Sequence, residues 1–128
     1  MQQNTHLAID SRLVGRVAEL APGASRVTLA ATPEMATDGR GLVHGGFTFG
    51  LADYAAMVAV NDPHVVLGAA TAKFLAPVVV GQEMTAAATV VAEEGKKRVV
   101  EVSVAVGDRP VFQGSFTAFV LPRHVLDG

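Results

Sequence analysis

From Phe47 to Val60 the chain reads FTFGLADYAAMVAV, with Asp53 its only charge, and Val43-His44-Gly45-Gly46 stands immediately before it. A carboxylate in apolar surroundings must find hydrogen-bond donors, shift its pKa, or do chemistry as a base or nucleophile. The histidine sits in a sharp-turn sequence whose two glycines allow close backbone approach to a bound group. Where such a turn opens a helix, the first N–H groups have no intrahelical acceptor and lie at the positive end of the dipole, so they can hold a developing negative charge. Asp53 and the His44-Gly45-Gly46 turn are therefore the first candidates for function.

The segment that carries Asp53 has no period-two alternation, is rich in helix formers, and stops at Asn61-Asp62-Pro63. It reads as a helix over 47–60 that is apolar nearly all round and hence buried. Ahead of it, residues 13–20 and 25–32 read as strands joined by a turn at Ala21-Pro22-Gly23-Ala24, and residues 33–46 as irregular. Behind it come strands over Val65–Phe74, Glu83–Glu93, Arg98–Val106 and Val111–Leu121, with hairpin turns at Glu94-Gly95 and Gly107-Asp108. Val100, Val102, Val104 and Val106 share one strand face, and Phe112, Gly114, Phe116 and Ala118 share another. An antiparallel sheet needs one covered face and an all-round apolar helix needs cover on every side, so a single sheet around one long helix satisfies both. The fold class expected is α+β. Gly50, Ala52, Ala55, Ala56 and Ala59 permit close approach of sheet to helix, and a second subunit supplies the cover one sheet leaves missing.

At 128 residues the chain suits one domain, 1–128, with a real core. A net charge of −2 and no basic tract exclude a nucleic-acid partner bound through bulk charge. The absence of cysteine removes disulfides, thiolate metal sites and cysteine nucleophiles together. His6, His64 and His124 show no metal-ligand spacing, so neither metal nor cofactor is expected. The first ten residues lack signal-peptide features and the longest apolar run is short of a membrane span, so a cytoplasmic protein with no membrane partner is expected.

Gly41-Leu42-Val43-His44-Gly45-Gly46, then Leu51-Ala52-Asp53, then Phe74-Leu75-Ala76-Pro77-Val78 with Gly81, resemble in order and spacing the phenylacetate-pathway (PaaI-like) type of acyl-CoA thioesterase. The resemblance spans roughly residues 13 to 121 and implies the hotdog fold, in which a curved antiparallel β-sheet wraps one long central helix. It implies Asp53 as general base or nucleophile toward the thioester, the Gly46 N–H as oxyanion donor with help from Gly45, and His44 as the residue shaping that turn. Thr71, eighteen residues after the acid, corresponds to a hydroxyl that orients the attacking water. Asp38, six residues before His44, stands where the family commonly has an asparagine; an ionised acid there donates no hydrogen bond and opposes a second carboxylate. Ala76 replaces a basic residue often found in Phe-Leu-x-Pro. The partners implied are an acyl-CoA substrate and a second copy of the chain, with dimers paired into tetramers.

Thioester hydrolysis suits these residues, because charge builds on the carbonyl oxygen and a carboxylate that activates water or attacks directly is sufficient. Seven residues separate Gly46 from Asp53, which along one helix at about 1.5 Å per residue is about 10 Å. A reacting atom must lie near ~3 Å from both base and donor, so Gly46 of one subunit is expected to work with Asp53 of another. Lys96, Lys97 and Arg98 follow a hairpin turn and are either a solvated turn or contacts for coenzyme A phosphates. Met57 is either packing or an acyl-pocket wall, and Tyr54 is packing. The competing reading is a non-catalytic acyl-CoA binding or sensing module.

Overall fold

The computed structural model describes all residues from Met1 to Gly128. Its elements run α1 (Ser11–Val14), β1 (Arg16–Ala21), β2 (Ala24–Ala30), a 3-10 turn at Pro33–Met35, α2 (Gly45–Val60), β3 (Val65–Phe74), β4 (Glu83–Glu94), β5 (Lys97–Val106) and β6 (Arg109–Val120). The strands form one six-stranded sheet in the order β1-β2-β4-β5-β6-β3, every neighbouring pair antiparallel. Six antiparallel strands with one long helix are what the sequence pattern required.

Register explains how the alternation buries one face. Val27, Ala86, Val104, Phe112 and Phe74 lie opposite one another in a single row across five strands. The neighbouring row, Arg26, Ala87, Ser103, Gln113 and Lys73, points the other way. The first four members of the apolar row are buried, as are Leu29, Met84, Val100, Val102 and Phe116 on the same face. Helix α2 lies against this face, burying Leu51, Ala52, Ala55, Ala56, Met57, Val58 and Ala59. At about 1.5–3 kcal/mol for each large apolar side chain removed from water, this interface dominates the stability of the fold. Ser25 fixes the helix on the sheet: its buried hydroxyl donates to the Ala55 carbonyl at 2.7 Å.

The structure corrects two boundaries. Residues 13 and 14, expected in a strand, belong to α1, because the Asp10 side chain caps the turn by accepting from the Arg12 N–H and Gly15 ends it. The central helix begins at Gly45 rather than Phe47. Its other end is Asn61, left-handed at φ 57°, whose side chain accepts from Asn4 N–H at 2.7 Å and donates to the Gln2 carbonyl at 2.8 Å. Gln3 Nε2 donates to the Tyr54 hydroxyl at 3.0 Å, and Thr5 is buried, so the N-terminal arm is laid along the second half of α2. No helix is long and apolar enough to cross a membrane.

Candidate functional site

Helix α2 is covered on most sides, but one stripe remains open. Gly46 is exposed and Gly50 and Asp53 are half-buried; at spacings of four and three they share one helix face. Asp53 is the one buried side-chain polar group without a partner: its Oδ1 is out of water and meets no donor. Burial alone pushes its carboxyl above the usual aspartate value, and no neighbouring cation lowers it. A carboxylate held in this way is a stronger base than one in water.

At the N-terminus of α2, neither the Gly45 nor the Gly46 N–H has an acceptor in the chain. The turn is held from outside: Val43 N–H donates to the Val78 carbonyl at 2.8 Å and His44 N–H to the Met35 carbonyl at 2.9 Å. The His44 ring folds back over the first turn and meets Phe47 edge-on. A Cβ at Gly46 would lie 2.9 Å from His44 Nε2, so a side chain there and this imidazole position are incompatible. A Cβ at Gly45 would press on the Phe74 ring at 3.2 Å. Between Gly45, Thr48 and the segment from Phe74 to Val78 runs an open, largely apolar cleft of about 390 Å³. The helix start thus joins two free N–H donors to an apolar groove, while Asp53 sits two turns further along.

The other candidates are dispersed. Thr71 pairs with Ser115 in the row that also contains Glu101, on the face of the sheet turned away from α2, so within the chain it does not join Asp53. The bulge between Leu67 and Ala69 sets this phase, and Ala70, opposite Phe116, takes the inner position. Asp38 is exposed and closes its own turn, accepting from the N–H groups of Arg40 at 2.9 Å and Leu42 at 3.3 Å. Met57, considered as an acyl-pocket wall, is 1% exposed and lies in the core, because the apolar character of α2 continues around that side. Lys96 lies in the β4–β5 turn and Lys97 opens β5; the Lys96 carbonyl accepts from Val120 N–H, and Leu121 N–H reaches the His64 carbonyl beyond the end of α2. Arg98 is engaged with the Gly95 carbonyl at 2.7 Å and with Glu93 at 3.6 Å. These three cations therefore gather at the opposite end of the helix from Gly46.

Sequence reasoning overlooked Arg109, which reaches the wall of the cleft by donating to the Pro77 carbonyl at 2.8 Å. It also overlooked Gln3, which donates to the hydroxyl of Tyr54, the residue that follows Asp53 in sequence. The only advance signal for Arg109 was its place directly after a hairpin turn.

Comparison with known proteins supplies the family. Residues 32–119 match the family model described as the acyl-CoA thioesterase N-terminal domain. Methylthioribose-1-phosphate isomerase from Aquifex aeolicus is 46% identical over 122 residues, 94% of this chain and 27% of that protein. Transcription factor FapR from Caldanaerobacter subterraneus is 27% identical over 119 residues, 92% of this chain and 60% of its own length. The chain thus spans less than two thirds of each of these relatives. Among solved structures, an uncharacterized protein from Pyrococcus horikoshii is 48% identical with a TM-score of 0.98, covering 99% of this chain and 98% of the other. The PaaI protein of the phenylacetic acid degradation operon of E. coli is 26% identical with a TM-score of 0.79, covering 88% and 83%. With more than half its length inside the family model and PaaI among its structural neighbours, the chain belongs to the acyl-CoA thioesterase family, as a hotdog-fold member of the PaaI-like type.

Proposed function

We propose that the protein hydrolyses acyl-CoA thioesters to free acid and coenzyme A, with Asp53 as base or nucleophile and the Gly46 N–H as oxyanion donor. The observation that carries this reading is the partnerless, buried Oδ1 of Asp53 on an otherwise apolar helix whose first N–H groups are also unpaired. A buried acceptor left unmatched is costly, and function is the reason for a fold to keep one. The carboxylate activates a water or attacks the carbonyl carbon; the tetrahedral oxyanion is held by the N–H at the helix start; collapse expels the thiolate, and on the nucleophilic route water then hydrolyses the acyl–Asp53 anhydride to the free acid.

The two halves stand about 10 Å apart along one helix, so Gly46 of one protomer serves Asp53 of its partner. Support for a second copy comes from β3, an edge strand whose residues from Gly68 to Phe74 are all exposed, and from the open stripe on α2. An unprotected edge of small residues invites pairing with another strand. Two such pairs stacked give the tetramer.

A free-thiol release assay over short, long and aromatic acyl-CoAs, with Asp53→Asn beside wild type and the protomer count measured by light scattering, tests the reading. Wild type should release thiol as a dimer or larger, and Asp53→Asn should lose at least about 100-fold. Full turnover by the variant or by a stable monomer would sink it. The match to a transcription factor favours a second reading, a non-catalytic acyl-CoA sensor, for which acyl-CoA binds tightly and no thiol appears.

A further inference from the structure

We propose that Arg109 is a positioning residue that sets the two N–H donors at the start of α2 from outside the site. This rests on the proposed role of those donors. The segment 76–78 forms one wall of the apolar cleft facing Gly45. It is sparsely tied: Leu75 N–H donates to the Val111 carbonyl at 2.8 Å, Pro77 has no N–H to donate, and the next backbone bond is the one received by the Val78 carbonyl from Val43. The Pro77 carbonyl meets no backbone donor; its partner is Arg109 Nη1 at 2.8 Å, a charge-assisted bond. The same guanidinium lies 3.4 Å from Gln82 Oε1, which accepts from Val79 N–H at 2.9 Å. One planar group thus holds the Pro77 carbonyl directly and, through Gln82, the N–H of Val79 just beyond the wall.

The consequence for the site follows from connectivity. Pro77 C=O and Val78 N–H belong to one rigid peptide plane that ends at the Val78 Cα, so holding that oxygen places the Val78 Cα and leaves only φ and ψ of Val78 between it and the Val78 carbonyl. The Val78 carbonyl holds Val43 N–H at 2.8 Å, and Val80 N–H holds the Gly41 carbonyl at the same distance, which aligns 41–43 as it enters His44-Gly45-Gly46. Val43 and Val78 are buried, so the pair transmits displacement instead of absorbing it. Arg109 itself is exposed at the mouth of the β5–β6 hairpin and does not enter the core.

The test uses the full chain carrying ¹⁵N-glycine, in which 13 glycine amides report directly on the backbone. In Arg109→Ala the Gly45 and Gly46 amide signals should move while those of Gly23 and Gly95 stay, and kcat for thiol release should fall about 10-fold or more with KM changed less than threefold. Millimolar guanidinium, but not sodium chloride at equal ionic strength, should return both signals and turnover toward wild type. Arg109→Lys should fall between, since an ammonium makes one contact where the guanidinium makes two. If Gly45 and Gly46 do not move, or if only KM rises, Arg109 touches the substrate and not the helix start, and the proposal is overturned. Should wild type release no thiol, the amide shifts and their guanidinium rescue still decide the positioning role separately from the thioesterase reading.

Discussion

Replacing Asp53 by asparagine should make the protein more stable at neutral pH while removing the proposed base. The carboxylate is retained at a cost, because Oδ1 is out of water without a donor. A buried acceptor left unsatisfied costs about 1–3 kcal/mol, more when charged. Asp53 is only half-buried and water screens its other oxygen, and asparagine keeps an unpaired carbonyl, so the net gain is taken at the low end, about 1 kcal/mol. For a chain of this length that corresponds to a rise in melting temperature of about 4 °C. The pH dependence carries a sign. Burial raises the carboxyl above its ordinary 3.8, so the folded state holds the proton more tightly than the unfolded one. The group's penalty is therefore absent below that ordinary value and grows as pH rises toward the raised one, after which it is constant. Asparagine does not titrate, so the gap between variant and wild type should open across that window. Thermal unfolding by circular dichroism from pH 4 to 8, at fixed protomer concentration because assembly shifts apparent stability, measures it. Two parallel curves, or a variant less stable than wild type at pH 8, would refute the uncompensated charge.

Three further outcomes are expected. Gly46→Ala brings a Cβ to 2.9 Å from His44 Nε2 and displaces the ring, so thiol release should drop by about 10-fold or more, with the melting temperature held by alanine's helix propensity; adding His44→Ala should recover part of the loss if crowding is the cause. Ser25→Ala removes the 2.7 Å bond to Ala55 and should cost about 1 kcal/mol in urea unfolding without altering the activity per folded site. Asn61→Gly keeps the left-handed cap but loses both bonds to the N-terminal arm, whereas Asn61→Ala loses the bonds and adds strain of about 1 kcal/mol. Hydrogen exchange at Asn4 should quicken in both variants, and only the alanine variant should show the extra loss of stability.

The large elements were legible because each carried a strong pattern: alternation in β5 and β6, glycine turns at Gly95 and Gly107, and an unbroken apolar run ending in Asn61-Asp62-Pro63. What failed turned on local geometry. Gly45 and Gly46 read as loop because glycine is a poor helix interior residue, yet the first helical positions need few intrahelical bonds and tolerate it. Residues 13 and 14 looked β-rich, and the one signal against this was Asp10 as a cap. Thr71 came from the resemblance and not from a strand pattern; the bulge between Leu67 and Ala69 that sets its face within one chain is a feature no alternation rule registers. Met57 shared an apolar helix with its neighbours, so nothing in the pattern distinguished core from groove. Asp53 itself was legible because a single charge in such a run has few explanations.

The order of the sheet also governs how the chain reaches it. β4, β5 and β6 are joined by tight turns and pair with near neighbours in sequence, whereas Ala24 must find Thr89 and Phe74 must find Phe112 across long intervening segments. Loop-closure entropy makes the hairpins the cheap contacts and the two outer pairings the expensive ones. On this ground the C-terminal meander is expected to form first, α2 to condense on its apolar face, and β1–β2 and β3 to close last, an order that mutational changes in folding rate would check. In that order Asp53 is carried into a nearly finished core, so the charge proposed to serve the site should also act as a late brake on folding.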